Sequence, residues 1–305
     1  MPKDEWPTLA ILRSENHKYS PSNDGAITKF VESAERHELN TVIVTDKDFD
    51  TFRWWCEMET VHDAKYLCGL LIRDTTNPGN HTYEFSILAQ QHNLPVIDSP
   101  ENIMRGCNKI WQCNQFLKHH INHPKTHLVN RATYHHLATK FNYPVVIKLS
   151  DSSFSQGVFL AKRESEFLYY CAKLFDRLQE PTSTLIVQEF IQTEFDWRIA
   201  VFRKKLLFLC KYYMAEDGWK IIKYDPSAGL VEGRHQAIEK IPTELWEFVE
   251  SFFPFLDDGL YGIDVKEKDG RFFAIELNDN PSIDTGVEDQ IEGNKLYDTI
   301  IEYFM

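Results

Sequence analysis

The chain has 305 residues, enough for about two domains with buried cores of their own. Its 46 Asp and Glu outweigh 33 Lys and Arg, a formal net charge of −13, so no net positive field is available to hold nucleic acid. Hydrophobic residues at 43% and aromatics at 13% exclude a disordered chain. No apolar run approaches the ~18 residues of a membrane span. Leu9–Leu12 is too short for a signal-peptide core, so the expectation is a cytoplasmic protein, off the membrane, with reduced thiols at its six cysteines.

In chain order, Thr8–Ile11 reads as a strand and Asp24–Leu39 as a helix with Ile27, Phe30, Val31 and Ala34 on one face. Thr41–Val44, Leu67–Ile72 and Pro95–Ile97 are short apolar strands, with a loop at Arg73–Asn80 and a helix at Tyr83–Gln91. Alternation of this kind predicts a parallel α/β domain over residues 1–98. After Asn108–His120, a predicted helix, the chain reads as β-rich. Val145–Ile147 and Val158–Leu160 flank a serine-rich turn. Leu185–Ile191, Trp197–Phe202 and Leu206–Met214 read as a meander turning at Lys204-Lys205. Thr243–Phe253 and Tyr297–Phe304 read as helices. Gly262–Lys266 and Phe272–Leu277 form a hairpin around Asp269-Gly270. Residues 99–305 are thus expected to form an α+β unit.

Four features of this unit carry chemistry. Asp264 lies on one strand of the hairpin, and Glu276 and Asn278, two residues apart, share a face of the other. Three such oxygen ligands suit Mg²⁺, although any acidic hairpin shows similar spacing. Lys148 ends an apolar run, where an ammonium needs a phosphate, a carboxylate or an escape to solvent. The loop Asp151–Gly157, with Ser153, Ser155 and Gly157, offers small side chains and free amides to phosphate, or is simply a turn. Gln188, Glu189, Phe190 and Ile191 end a strand whose backbone suits an adenine edge, while Asp196 and Arg198 alternate onto one face. Elsewhere, His119, His120 and His123 lack further ligands for zinc. Cys107 and Cys113 lack an obvious base, and the Ser152-Ser153 pair has no paired His and Asp at recognisable spacing.

The stretches "YPVVIKLSDSSFSQGV", "QEFIQTEFDWRIAVF" and "LYGIDVKEKDGRFFAIELNDNPSIDTGVED" resemble, in this order, an ATP-grasp ligase. More narrowly they resemble the RimK-like and glutathione-synthetase-like branch. The resemblance runs from about residue 67 to the end and is strongest after residue 94. It implies an α/β pre-ATP-grasp domain (1–98) followed by a two-lobed ATP-grasp domain (99–305), with the smaller lobe over about 125–192. It implies ATP phosphates on Lys109 and Lys148, adenine at Glu189 and Ile191, ribose at Asp196, and Arg198 near the transferred phosphate. It implies two Mg²⁺ ions, replaceable by Mn²⁺, on Asp264, Glu276 and Asn278. The phosphate loop departs from many relatives in having one glycine, Gly157.

The activity implied is ADP-forming ligation of a small-molecule carboxylate, activated as an acylphosphate, to an amine such as an amino acid or peptide. Substrate candidates are Arg73, Lys211, Lys223 and Arg234. Two other classes stay open, a nucleotide-binding regulatory protein and a phosphotransferase. Homo-oligomer formation also stays open.

Overall fold

In the computed structural model, residues 2–14, 23–58, 60–61, 65–150, 157–178, 182–215, 218–225 and 229–305 are described. The first sheet is built on β1 (Thr8–Leu12), whose neighbours β2 (Asn40–Val44) and β4 (Lys65–Ile72) both run parallel to it. The short β3 (Thr60–Val61) pairs antiparallel with the start of β4, and β5 (Val96–Ile97) pairs parallel with its end. Helix α1 (Asp24–Arg36) begins where the Asn23 side chain accepts from the Ala26 amide at 2.8 Å. It buries Ala26, Ile27, Phe30 and Ala34, the face its spacing predicts, and ends three residues before the expected Leu39. Helices α2 (Phe49–Met58) and α3 (His81–Gln91) cover the other face of the sheet through Phe52, Trp55, Phe85 and Ala89.

Two short helices, α4 (Pro100–Cys107) and α5 (Lys109–Lys118), lead to a four-stranded sheet. It consists of β6 (Thr126–Asn130), β7 (Val145–Leu149), β8 (Phe159–Ala161) and β9 (Thr184–Glu189), in the order β6-β9-β7-β8 and antiparallel throughout. Helices α6 (Tyr134–Ala138) and α7 (Glu164–Leu178) close over one face. Val145, Ile147, Leu149, Leu185 and Val187 meet Phe167, Cys171, Leu174 and Phe175 there. Alternation then directs Val146, Lys148, Ile186 and Gln188 to the opposite face. Val145 and Ile147 of the apolar run before Lys148 therefore face this core, while Val146 and Lys148 face away from it.

The third sheet contains β10 (Phe195–Phe202), β11 (Lys205–Tyr213), β14 (His235–Ala237), β15 (Leu260–Lys268) and β16 (Arg271–Asn278), in the order β14-β11-β10-β15-β16. Between β11 and β14 lies a hairpin of β12 (Ile222–Asp225) and β13 (Gly229–Glu232). Helix α8 (Thr243–Glu250) packs on one face with Phe252, Trp197 and Ile263. Helix α9 (Asn294–Ile301) joins the first sheet to this one. Leu296, Tyr297 and Ile300 pack with α1 and with Ala200 and Leu260, and Tyr297 meets Phe30 edge-on at 4.9 Å. Asp269 and Gly270 close β15–β16 as expected, both at positive φ, which suits a two-residue turn. The β10–β11 turn is Arg203-Lys204, one residue earlier than its sequence suggests.

Candidate functional site: a cleft between two sheets

The face of the second sheet turned away from α6 and α7 and the part of the third sheet around Asp196, Asp264 and Glu276 enclose a cleft. It is lined by Lys109, Lys148, Gln188, Glu189, Phe190, Ile191 and Asp196, with Asp264 and Glu276 at its floor. Antiparallel register brings the last residues together. Arg198 lies opposite Asp264, and Asp264 opposite Glu276. Asn278 shares the face and donates to Asp264 Oδ2 at 3.2 Å. Arg198 Nε stands 3.0 Å from Asp264 Oδ1 without hydrogen-bond alignment, so this is an ion pair held by charge. Lys109 Nζ stands 3.0 Å from Glu276 Oε1.

Charge and burial compete at each group. Burial pushes Asp264 up to about 6 although Arg198 opposes it. Burial would also raise Glu276, but Lys109, Lys148 and Arg198 together hold it below the ordinary range. Desolvation lowers Lys148, with Glu276 pulling the other way. Burial works against the charge on Arg198, yet the Asp264 carboxylate more than restores it. The result is a mixed site in which cations and carboxylates are partly desolvated beside one another. Among the described residues no cluster of three or more His, Cys, Asp or Glu could hold a metal. Two carboxylates and one amide on adjacent strands nonetheless fit Mg²⁺, which is held by few protein groups and completed by water and phosphate.

The other predicted residues distribute unevenly. Gln188 is buried and donates to Thr126 Oγ1 at 3.0 Å. Glu189 gives its amide to Lys125 O, and Phe190 meets Trp219 edge-on at 6.1 Å. Asp196 faces the cleft but is ion-paired to Lys266, whose Nζ also reaches Thr193 Oγ1 at 2.9 Å. Gly157 stands at φ +69° against Leu149, while Ser153 and Ser155 lie outside the described residues. The side chain of Lys223 lies outside them as well.

Three substrate candidates are not brought to the cleft. Lys211 pairs with Trp197 rather than Arg198, and so points to the opposite face, with its ammonium over Phe195 and Trp197. Arg234 is exposed and stacks on Tyr213 at 4.0 Å. Arg73 has 0% exposure. Its guanidinium donates to Asn280 Oδ1 and to Pro281 O, the latter at 2.8 Å, fixing the loop beyond Asn278. Burial lowers Arg73 to about 10.

Three residues escape the sequence reading. The Gln112 amide donates to Leu277 O at 2.8 Å and accepts from Leu277 N at 3.0 Å, clamping β16 between Glu276 and Asn278. Lys220 lines the cleft and donates to Val158 O at 2.6 Å, next to Gly157. Trp219 lines the cleft beside Phe190. Only the cleft-lining lysine carries a local signal, and a single lysine is a weak one.

The RimK-like ATP-grasp domain family matches residues 107–207. A D-alanine--D-alanine ligase from Petrotoga mobilis is 28% identical over 176 residues, 54% of this chain and 55% of that protein, so the match spans about half its length. The D-alanine--D-alanine ligase from Bacillus anthracis, solved with ATP, aligns over 98% of this chain and 97% of its own at TM-score 0.71 and 16% identity. A RimK domain ATP-grasp protein from Sphaerobacter thermophilus covers 97% of this chain and 98% of its own at TM-score 0.68 and 13% identity. The chain therefore shares the fold of these solved proteins over nearly its whole length. No helix among the described residues is long and apolar enough to cross a membrane.

Proposed function

We propose that the chain is an ATP- and Mg²⁺-dependent carboxylate–amine ligase that forms ADP, working on amino acids or small peptides. The observation that carries this reading is the convergence of Lys109, Lys148 and Arg198 on Asp264, Glu276 and Asn278 between two sheets. The likeness to ligases for D-alanine supports an amino-acid substrate.

In this reading the adenine edge meets the backbone at Glu189–Ile191. Lys109 and Lys148 take the phosphates, and Lys109 thereby leaves its present partner, Glu276. Asp196 exchanges Lys266 for ribose hydroxyls. Asp264, Glu276 and Asn278 would hold Mg²⁺, which would supply neutralisation of phosphate charge. The substrate carboxylate attacks the γ-phosphorus and ADP leaves. The amine then displaces phosphate from the acylphosphate. Arg198 sits where oxyanion charge develops in both steps, so positioning and charge supply the catalysis. Arg73 serves this reading as a structural tie.

Mass spectrometry after incubation with ATP, Mg²⁺ and an amino-acid and peptide panel tests it. ADP together with a condensed product is expected. ADP with a stable phosphorylated acid would mean a phosphotransferase. No ADP with any acid would mean a binding module.

A further inference from the structure

Arg198 is held on one side by Asp264, and on another by an aromatic face that no sequence pattern singles out. The guanidinium carbon lies 5.2 Å from the centre of the Tyr212 ring. Tyr212 is buried, opposite Asp196 on β11, with the His235 ring stacked on it at 4.0 Å. Its hydroxyl donates to Glu288 Oε1. Glu288 is itself buried at 1% exposure, and its other oxygen accepts from the Asp284 amide at 2.6 Å. Asp289 accepts from Gly286 N at 2.6 Å and from the Tyr297 hydroxyl at 3.0 Å. Arg73 holds the same loop at Pro281. The loop thus has three anchors, on the first sheet, on β11 and on α9.

We propose that Tyr212, locked by Glu288, is a positioning residue that fixes Arg198 for the chemical step and links it to the 280–289 loop. An arginine with one charged partner keeps rotational freedom about that contact. A flat π surface on a second side removes that freedom, and a desolvated cation–π contact adds to the ion pair. The hydroxyl bond prevents the ring from turning away. Gly262 completes the arrangement. A Cβ there would stand 3.2 Å from Arg198 Nη1 and 2.7 Å from Pro281 Cβ, so loop and arginine approach each other across a bare backbone.

This inference rests on the ligase reading, in which Arg198 acts in turnover more than in ATP capture. The test uses the full chain, with ADP release driven by the amino-acid panel and ATP affinity measured by calorimetry. Tyr212→Leu is expected to lower kcat by ~30-fold or more with ATP affinity within ~2-fold. Tyr212→Phe keeps the ring and the core volume but loses the lock, so its kcat loss is expected to be intermediate, ~3–10-fold. In an Arg198→Ala background, Tyr212→Leu should cost nothing further, because the group it positions is gone.

Additive losses, parallel loss of ATP affinity, or a Tyr212→Phe protein with unaltered kcat would overturn the proposal. Should Tyr212→Leu not fold, the Tyr212→Phe pair of measurements decides alone. An unaltered chain that binds no ATP, or releases no ADP with any acid, sinks the ligase reading and this inference with it. Normal turnover in the unaltered chain with a silent Tyr212 series sinks the inference alone.

Discussion

At the scale of single residues, Asp264 has the most exposed chemistry. Burial outweighs Arg198 and pushes the Asp264 carboxyl up to about 6. The folded value lies above the ordinary 3.8, so the native state binds the proton more tightly than the unfolded chain does. That contribution to stability is full below about 3.8 and is lost as pH rises through about 6. A metal needs the ionised form and must displace the proton below that point. Mg²⁺ affinity, read as a magnesium-dependent melting shift with ATP present, should therefore weaken as pH falls from 7 to 5. A shift that stays constant across that range removes Asp264 from the ligand set. Arg198→Ala should lower kcat by ~10²–10³-fold, as loss of an oxyanion-type donor does, with little change in ATP affinity. Equal losses of both would move Arg198 away from the reacting centre.

At the scale of elements, packing decides what the cleft can hold. Helix α4 packs at the end of β16, where Gly106 meets Asp279, the residue after the strand, and a Cβ at Gly106 would stand 2.2 Å from Asp279 Oδ1 and 2.6 Å from its amide. Gly106→Ala should cost ~1–3 kcal/mol in urea unfolding, the usual range for overpacking. A cost near zero would mean that α4 and β16 separate freely. Gln112 acts on the same strand. Truncating it leaves both Leu277 groups buried without this partner, which predicts a higher Mg²⁺ requirement for ADP release by Gln112→Ala.

Much at this scale is legible in the sequence. The β15–β16 hairpin follows from alternation and its Asp-Gly turn, and that alone places Glu276 and Asn278 on one face. Lys211 shows what is not legible. A turn at Lys204-Lys205 would set Lys211 opposite Arg198. The turn falls one residue earlier and the register shifts between Ala200 and Val201, so Cys210 takes that place. Strand faces invert with a one-residue slip, and nothing local in the chain fixes the slip. Helix α7 hides in a similar way. Its aromatic residues resemble strand formers, although Phe167, Cys171, Leu174 and Phe175 recur at helical spacing. Gln112 and Tyr212 are invisible for a different reason, since their partners lie 165 and 76 residues away.

At the scale of the whole molecule, the cores are separate while the cleft is shared. The second sheet and α6–α7 bury their own cluster, from Val129 to Val187, which has no buried member in common with the clusters of the first and third sheets. By contrast, the first and third sheets share one cluster through α1 and α9. A unit with its own core can unfold on its own. Nucleotide in the cleft would touch Lys148 on one side and Asp264 and Glu276 on the other, coupling the two units. Calorimetry should therefore show two overlapping transitions without nucleotide and a narrower, later one with ATP and Mg²⁺. Ligand at ~100 times its dissociation constant adds ~2.7 kcal/mol to whatever must open to release it. Lys148→Met should abolish the merging while leaving β15 and β16 intact. A single transition, equally sharp with and without nucleotide, would show that the sheets already unfold together and that the cleft couples nothing.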